Sequence, residues 1–278
     1  MSKQQDELTT FSIFEEFGRQ KTTLLTGAVL ALGLAGTVQA EGPAVDGFNG
    51  KLEVDGGTVG GDGAGFIAGS VTAPLGERFG LQLDGAVGEV DNNDANGLAA
   101  HLFYRDPERY MVGLTATTVR YRSQDVDRLG IEGELYRDQW TVGAALGEQS
   151  GDLGTDAYYG LDLKYYPNQD FALNASIDGY DNDQMLSLGA EWQAKPGWSV
   201  LVAGGTGDGD DYVMVGVRLY LGKNKTLMGR HRQDDPENPL LPMVNSLKKS
   251  MDKQAVIDAE GTSTGPGGDW LEAGASGS

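Results

Sequence analysis

The sequence predicts an all-β chain: a transmembrane antiparallel up-and-down β-barrel of about 12 strands, followed by a largely irregular C-terminal tail. Three observations predict it. Most of the chain consists of short stretches in which apolar and polar residues alternate with a period of two. Aromatic residues gather at one end of these stretches, in phase with the apolar positions. An uncharged apolar segment near the N-terminus has the layout of an export signal.

The export segment comes first. From Thr22 to Ala40 no charge occurs, Lys21 precedes the run, and Val38-Gln39-Ala40 offers small residues where a signal peptidase reads. Residues 1–40 are therefore expected to form a signal peptide cut between Ala40 and Glu41. The region ahead of the apolar run is long and carries Asp6, Glu7, Glu15 and Glu16. An uncleaved anchor is the alternative, because the run is nearly long enough to span a bilayer.

Composition narrows the function classes. A formal net charge of −20 argues against nucleic acid as a partner, since phosphate binding needs a basic footprint. The chain has no cysteine, which excludes disulfides and thiolate metal sites. Its 43 glycines follow no collagen period and sit within and between the alternating runs, as bends and tightly packed strand faces require.

Residues 41–221 form the predicted barrel. Leu98, Ala100, Leu102 and Tyr104 share one face of a run whose other face carries His101, Phe103 and Arg105. The same split recurs in Ala157 to Tyr165, in Phe171 to Asp178 and in Val213 to Leu221. About twelve such runs lie near 47–55, 64–74, 79–90, 97–105, 110–122, 128–136, 139–148, 156–166, 171–180, 185–194, 198–207 and 212–221. Their usual length matches the roughly 9–11 residues of a tilted membrane-crossing strand.

Five connections are tight: Pro74 to Arg78, Asp106 to Arg109, Arg137-Asp138, Pro167 to Asp170 and Lys195 to Gly197. The six between them are expected to be longer loops rich in Asp, Asn and Gly, such as Asp91 to Asp94 and Asp208 to Asp211. Short turns on one rim and long loops on the other is the asymmetry of outer-membrane barrels.

The aromatic residues decide which face is wet. Phe79, Tyr104, Tyr110, Trp140, Tyr165, Phe171, Trp192 and Trp198 sit at strand ends beside the tight turns. In a soluble barrel these rings would crowd into a narrow lumen. Facing outward, they form the belt that amphipathic rings make at a lipid–water interface, so membrane lipid is an expected partner. Tyr136 and Tyr220 fall on the polar face and are expected to lean toward the rim from inside.

By the same parity Asp84, Glu132, Glu134, Asp162, Asp178 and Glu191 point inward, with Lys51, Arg105, Lys164 and Arg218 as possible partners. An open lumen with this acidic excess would favour cations or neutral solutes. The alternative is a closed interior of salt-bridged side chains. His101 also points inward and is read as a satisfied lumen residue rather than a catalytic one. No glycine loop opens a helix after a strand, and neither cofactor nor metal is expected.

On these residues, 41–221 resembles the small porin-like outer-membrane β-barrel proteins of Gram-negative bacteria. The last run resembles the closing strand that the barrel-assembly machinery recognises, with Gly216 followed by Leu219 and Leu221. It departs from the pattern in ending on Leu221 rather than Phe, and in continuing to Ser278. The resemblance implies an outer-membrane location with both termini periplasmic, the assembly machinery as a partner, and no enzymatic activity. It implies a passive channel for small solutes or ions, here with weak cation preference. The alternative is a non-conducting structural or surface-interaction barrel that acts through its loops or its tail.

Residues 222–278 are read as a periplasmic tail. Lys223, Lys225, Arg230 and Arg232 make a basic patch, and Met243, Val244, Leu247 and Met251 have helical spacing. A short helix is expected near 242–256, and the Gly/Ser-rich end from Gly261 is expected to be disordered. Such a tail could plug the lumen, touch the cell wall, bind a partner, or remain a tethered extension.

Overall fold

The computed structural model describes residues 42–180, 183–207, 211–234, 236–240, 243, 244 and 248. The expected signal peptide, its cleavage point at Ala40 and Glu41, and the Gly/Ser-rich end lie outside these residues. Of the helix expected near 242–256, Met243, Val244 and Lys248 are described, and all three are helical.

Twelve strands follow one another: β1 Asn49–Val59, β2 Asp62–Leu75, β3 Phe79–Val90, β4 Asn93–Asp106, β5 Tyr110–Tyr121 and β6 Gln124–Arg137. The second half is β7 Trp140–Gly151, β8 Asp156–Asn168, β9 Phe171–Tyr180, β10 Asp183–Lys195, β11 Trp198–Gly207 and β12 Asp211–Leu221. Each pairs antiparallel with its sequence neighbours, and β1 closes on β12 with Lys51 opposite Tyr220 and Val59 opposite Tyr212. Closure leaves no free sheet edge, so every strand finds hydrogen-bond partners on both sides, as a lipid-embedded sheet requires.

The alternation sets inside from outside. Along β1, Lys51, Glu53 and Asp55 are buried, while Leu52 and Val54 are 51% and 58% exposed. Leu83, Leu98, Leu135, Leu161, Leu188 and Val215 continue that outward apolar surface around the barrel. In water such a surface would be a severe liability; against hydrocarbon it is the ordinary lipid face. The belt residues occupy one rim, with Trp192 56% and Trp198 50% exposed. Phe79 meets Tyr104 edge-on at 5.4 Å and Trp140 meets Tyr165 at 4.3 Å, across paired strands.

This belted rim also holds the start of β1 and the end of β12, and is called the near mouth; the opposite rim is the far mouth. Among the described residues, the expected long loops of the far mouth are not there. Gly60-Gly61 joins β1 to β2 and Asp91-Asn92 joins β3 to β4, each pair with both φ positive. Both are the tight hairpin turns whose twist matches that of the strands. Asp and Asn tolerate the left-handed region and so form turns as readily as loops. Neighbouring polar residues, including Asn93, Asp94 and Asp211, belong to strands that run past the span a bilayer needs. The connections at 181–182 and 208–210 lie outside the described residues.

After Gly222 the chain forms helix α1, Leu227–Gln233, at a place where the alternation gave no helical signal. Thr226 caps it by accepting from Gly229 N at 3.2 Å. Arg230, His231 and Arg232 fill its last turn, where positive charge complements the helix dipole. The helix sits on the near mouth: Met228 N donates to Gln169 O at 2.9 Å and Leu227 N to Asp170 Oδ1 at 3.2 Å, both in the β8–β9 turn.

Candidate functional site: the lumen and the segment within it

All eleven lumen candidates lie on the inner face, and most fall into three charged groups. In the first, His101 is clamped between carboxylates, with Nε2 3.0 Å from Asp84 Oδ2 and Nδ1 2.8 Å from Glu132 Oε1. Both ring nitrogens can donate only when the ring is protonated. Ser70 Oγ donates to Asp84, not to the histidine, so no serine nucleophile is built here. In the second, Arg218 bridges Glu53 and Glu191, the latter at 2.8 Å, and Tyr220 OH donates to Glu191 Oε1 at 2.8 Å. In the third, Lys164 lies between Asp162 at 3.6 Å and Glu237 of the tail at 2.6 Å.

The remaining candidates stand apart from these groups. Arg105 is fully buried near the near mouth, with its guanidinium over the Phe103 ring and 3.3 Å from Met111 Sδ. Glu134 accepts from Tyr136 OH at 2.7 Å, and Asp178 from Ser176 Oγ at 3.4 Å. Lys51 Nζ reaches a tail carbonyl, Pro236 O, at 3.3 Å. Small residues make room for this polar layer. Gly143 pairs with Asp162, and Gly216 with Asp55; in each case a Cβ would overlap the carboxylate lying across it.

The tail occupies the lumen. Inside the near mouth Tyr136, Tyr166 and Tyr220 form an aromatic collar around the end of α1. The Arg232 guanidinium lies over the Tyr136 and Tyr166 rings at 5.4 and 5.5 Å, and that of Arg230 over Tyr220 at 4.8 Å. His231 is 3.1 Å from Tyr166 OH through Nδ1 and 3.3 Å from Glu191 Oε2 through Nε2. Outside this collar Lys223 pairs with Asp46 at 2.6 Å, tying the tail to the segment before β1. The hydrogen bond from Lys223 holds the Asp46 carboxyl below its ordinary pKa, against a smaller opposing effect of burial.

Deeper in, Lys51 and Gln82 both donate to Pro236 O, and Glu237 meets Lys164. Toward the far mouth the inner wall changes character. Val59, Val90, Val119, Tyr121 and Val126 all point inward, and Leu240, Met243 and Val244 of the tail pack among them, each almost wholly buried. Lys248 ends the described chain, 3.5 Å from Asp62 at the β1–β2 turn.

A cavity of about 320 Å³ remains beside the tail. Eight carboxylates line it (Glu53, Asp55, Glu132, Glu134, Asp162, Asp178, Glu191 and Glu237) against three bases, Arg128, Lys164 and Arg218, and two histidines. Asp55 Oδ2 lacks a hydrogen-bond partner among the described residues. Even with both histidines charged, carboxylates are in excess.

Sequence reasoning did not single out Glu53, Asp55 or Arg128, although parity alone places them inside. It placed Arg230 in the tail's basic patch without a partner in the barrel, and did not single out His231 or Glu237. A signal for the tail was present in Tyr136 and Tyr220, two rings on the polar face, and in apolar residues at inward positions such as Val119 and Val126. All of them need something apolar or cationic inside the barrel.

No family model matches this sequence, and no curated protein sequence matches it. Solved structures do match by fold. The KdgM porin, solved in complex with disordered oligogalacturonate, aligns with a TM-score of 0.51 at 11% identity, over 61% of this chain and 98% of its own. A second structure of the KdgM porin aligns with the same TM-score at 12% identity over the same shares. A membrane-protein structure from a study of in-meso crystallisation aligns at 0.50 with 14% identity, over 68% of this chain and 96% of its own. At these identities the likeness is one of fold: a porin-like outer-membrane barrel.

Proposed function

We propose that this chain is a passive outer-membrane channel for small cationic or neutral solutes, narrowed by its own tail. The observation that carries this reading is the carboxylate-rich cavity that remains beside the tail. A wall of fixed negative charge with few bases raises the local concentration of cations and repels anions. The KdgM porin was solved with an oligogalacturonate, a polyanion; the sign of charge in this cavity opposes a ligand of that kind. The outward apolar surface and the belt at the near mouth support a bilayer-spanning orientation, with both strand ends, Asn49 and Leu221, on the periplasmic side.

Planar-bilayer recording tests the reading. The full chain is expected to give small or infrequent currents, and a chain ending at Gly222 larger, cation-preferring ones, seen as a reversal potential shifted toward that of the cation in a salt gradient. Anion preference in the truncated barrel would reject the proposed selectivity. A tail that fills the lumen also supports the alternative of a non-conducting barrel acting through that tail. The alternative gains if the truncated barrel passes no discrete current.

A further inference from the structure

We propose that the barrel carries its own chain from one face of the membrane to the other. The described tail residues from Gly222 to Lys248 run through the lumen, which delivers the chain that follows to the mouth opposite the one where β12 ends. The function this assigns is display of a C-terminal segment, independent of whether solutes also pass.

The order of contacts along the tail carries the inference. Lys223 meets Asp46 outside the near mouth, and Leu227 and Met228 bind the β8–β9 turn on its rim. Arg232 Nη2 then donates to Trp140 O at 2.7 Å, at the first residue of β7. Pro236 accepts from Lys51 and Gln82, a few residues in from the ends of β1 and β3. Leu240 lies beyond mid-barrel, where a Cβ on Gly97 would come within 2.9 Å of it. Lys248 reaches Asp62, the first residue of β2 at the far turn. Through α1 the tail stays at the near mouth, where Gln233 O still accepts from Asp46 N; from Pro236 to Lys248 each described contact lies further along the axis.

The wall is built for this occupant. Near the near mouth its inner face is tyrosine and carboxylate, matched to the arginines and histidine of α1. Near the far mouth it turns to valine, phenylalanine and tyrosine, matched to Leu240, Met243 and Val244. A water-filled pore has no use for an inward apolar ring. Covered by the tail, that ring forms a packed core. Two chemically different zones meet their complements in the right order, which a loosely tethered extension would not need.

The chain has no cysteine, so single-cysteine variants report sidedness. Three full-length variants are required: Glu108→Cys in a near-mouth turn, Ser123→Cys in a far-mouth turn, and Ser263→Cys in the segment after Lys248. Intact and permeabilised cells are treated with a polyethylene-glycol maleimide too bulky to pass the barrel. The two turn variants are expected to differ in intact cells, and Ser263→Cys to follow Ser123→Cys. Labelling of Ser263→Cys in step with Glu108→Cys would place the segment back on the entry side and overturn the proposal. A conductance result of either sign leaves this readout unchanged, so the two proposals fail separately.

Discussion

Leu240 holds the tail in the lumen, and shortening it should loosen the tail without loosening the barrel. Its side chain is fully buried among Val59, Val119, Tyr121 and their neighbours. Replacing a buried Leu by Ala costs about 2–5 kcal/mol, the larger part where the surroundings cannot collapse into the space left behind. Here the lining residues sit on strands fixed by ladders on both sides, so collapse is limited. At about 3 kcal/mol the ratio of released to seated tail rises roughly a hundredfold, since each 1.4 kcal/mol is a factor of ten. The barrel's own pairing does not involve Leu240, so the loss falls on the seat. Single-channel recording of Leu240→Ala should show open time increased by that order, with the thermal unfolding of the barrel little changed. Leu98→Ala, which removes a side chain 64% exposed on the outer face, is the control and should leave open time unaltered. Identical dwell times in Leu240→Ala and the unaltered chain would refute the claim that this contact seats the tail.

Two further predictions concern the outer face and the tail's anchor. Val215 lies mid-strand on β12 and faces outward, so Val215→Arg should lower stability in lipid vesicles by roughly 2–4 kcal/mol, read from refolding titrations in denaturant; no change would mean that this face does not meet hydrocarbon. Asp46 is held below its ordinary value of 3.8 by Lys223, so its contribution to anchoring is complete above that value and is lost as pH falls through the lowered one. Asp46→Asn should therefore raise the rate of proteolysis within the tail modestly at neutral pH, and the difference should shrink as pH falls through the lowered value, because an exposed pair contributes only a few tenths to about 1 kcal/mol.

Period-two alternation made the barrel legible because inside and outside differ in polarity at every strand, and a one-residue slip would expose each charge to lipid. Leu52 and Lys51 could be assigned to opposite faces from their neighbours alone. The far-mouth turns were not legible, because Asp91-Asn92 spells a loop and a tight turn equally well; the difference lies in the φ angles that the strand twist selects. The tail was the least legible part for a different reason. Its helix spans only seven residues and draws its stability from Gln169, Asp170, Gln193 and the tyrosine collar, none of them local in sequence. Yet its imprint lay in the strands. Tyr136, Tyr220, Val119 and Val126 broke the rule that inward positions of a hydrated barrel are polar, and each break is a contact with the tail or with the zone it fills. Exceptions to a strong pattern, taken together and placed along the axis, describe the shape and chemistry of what the pattern surrounds.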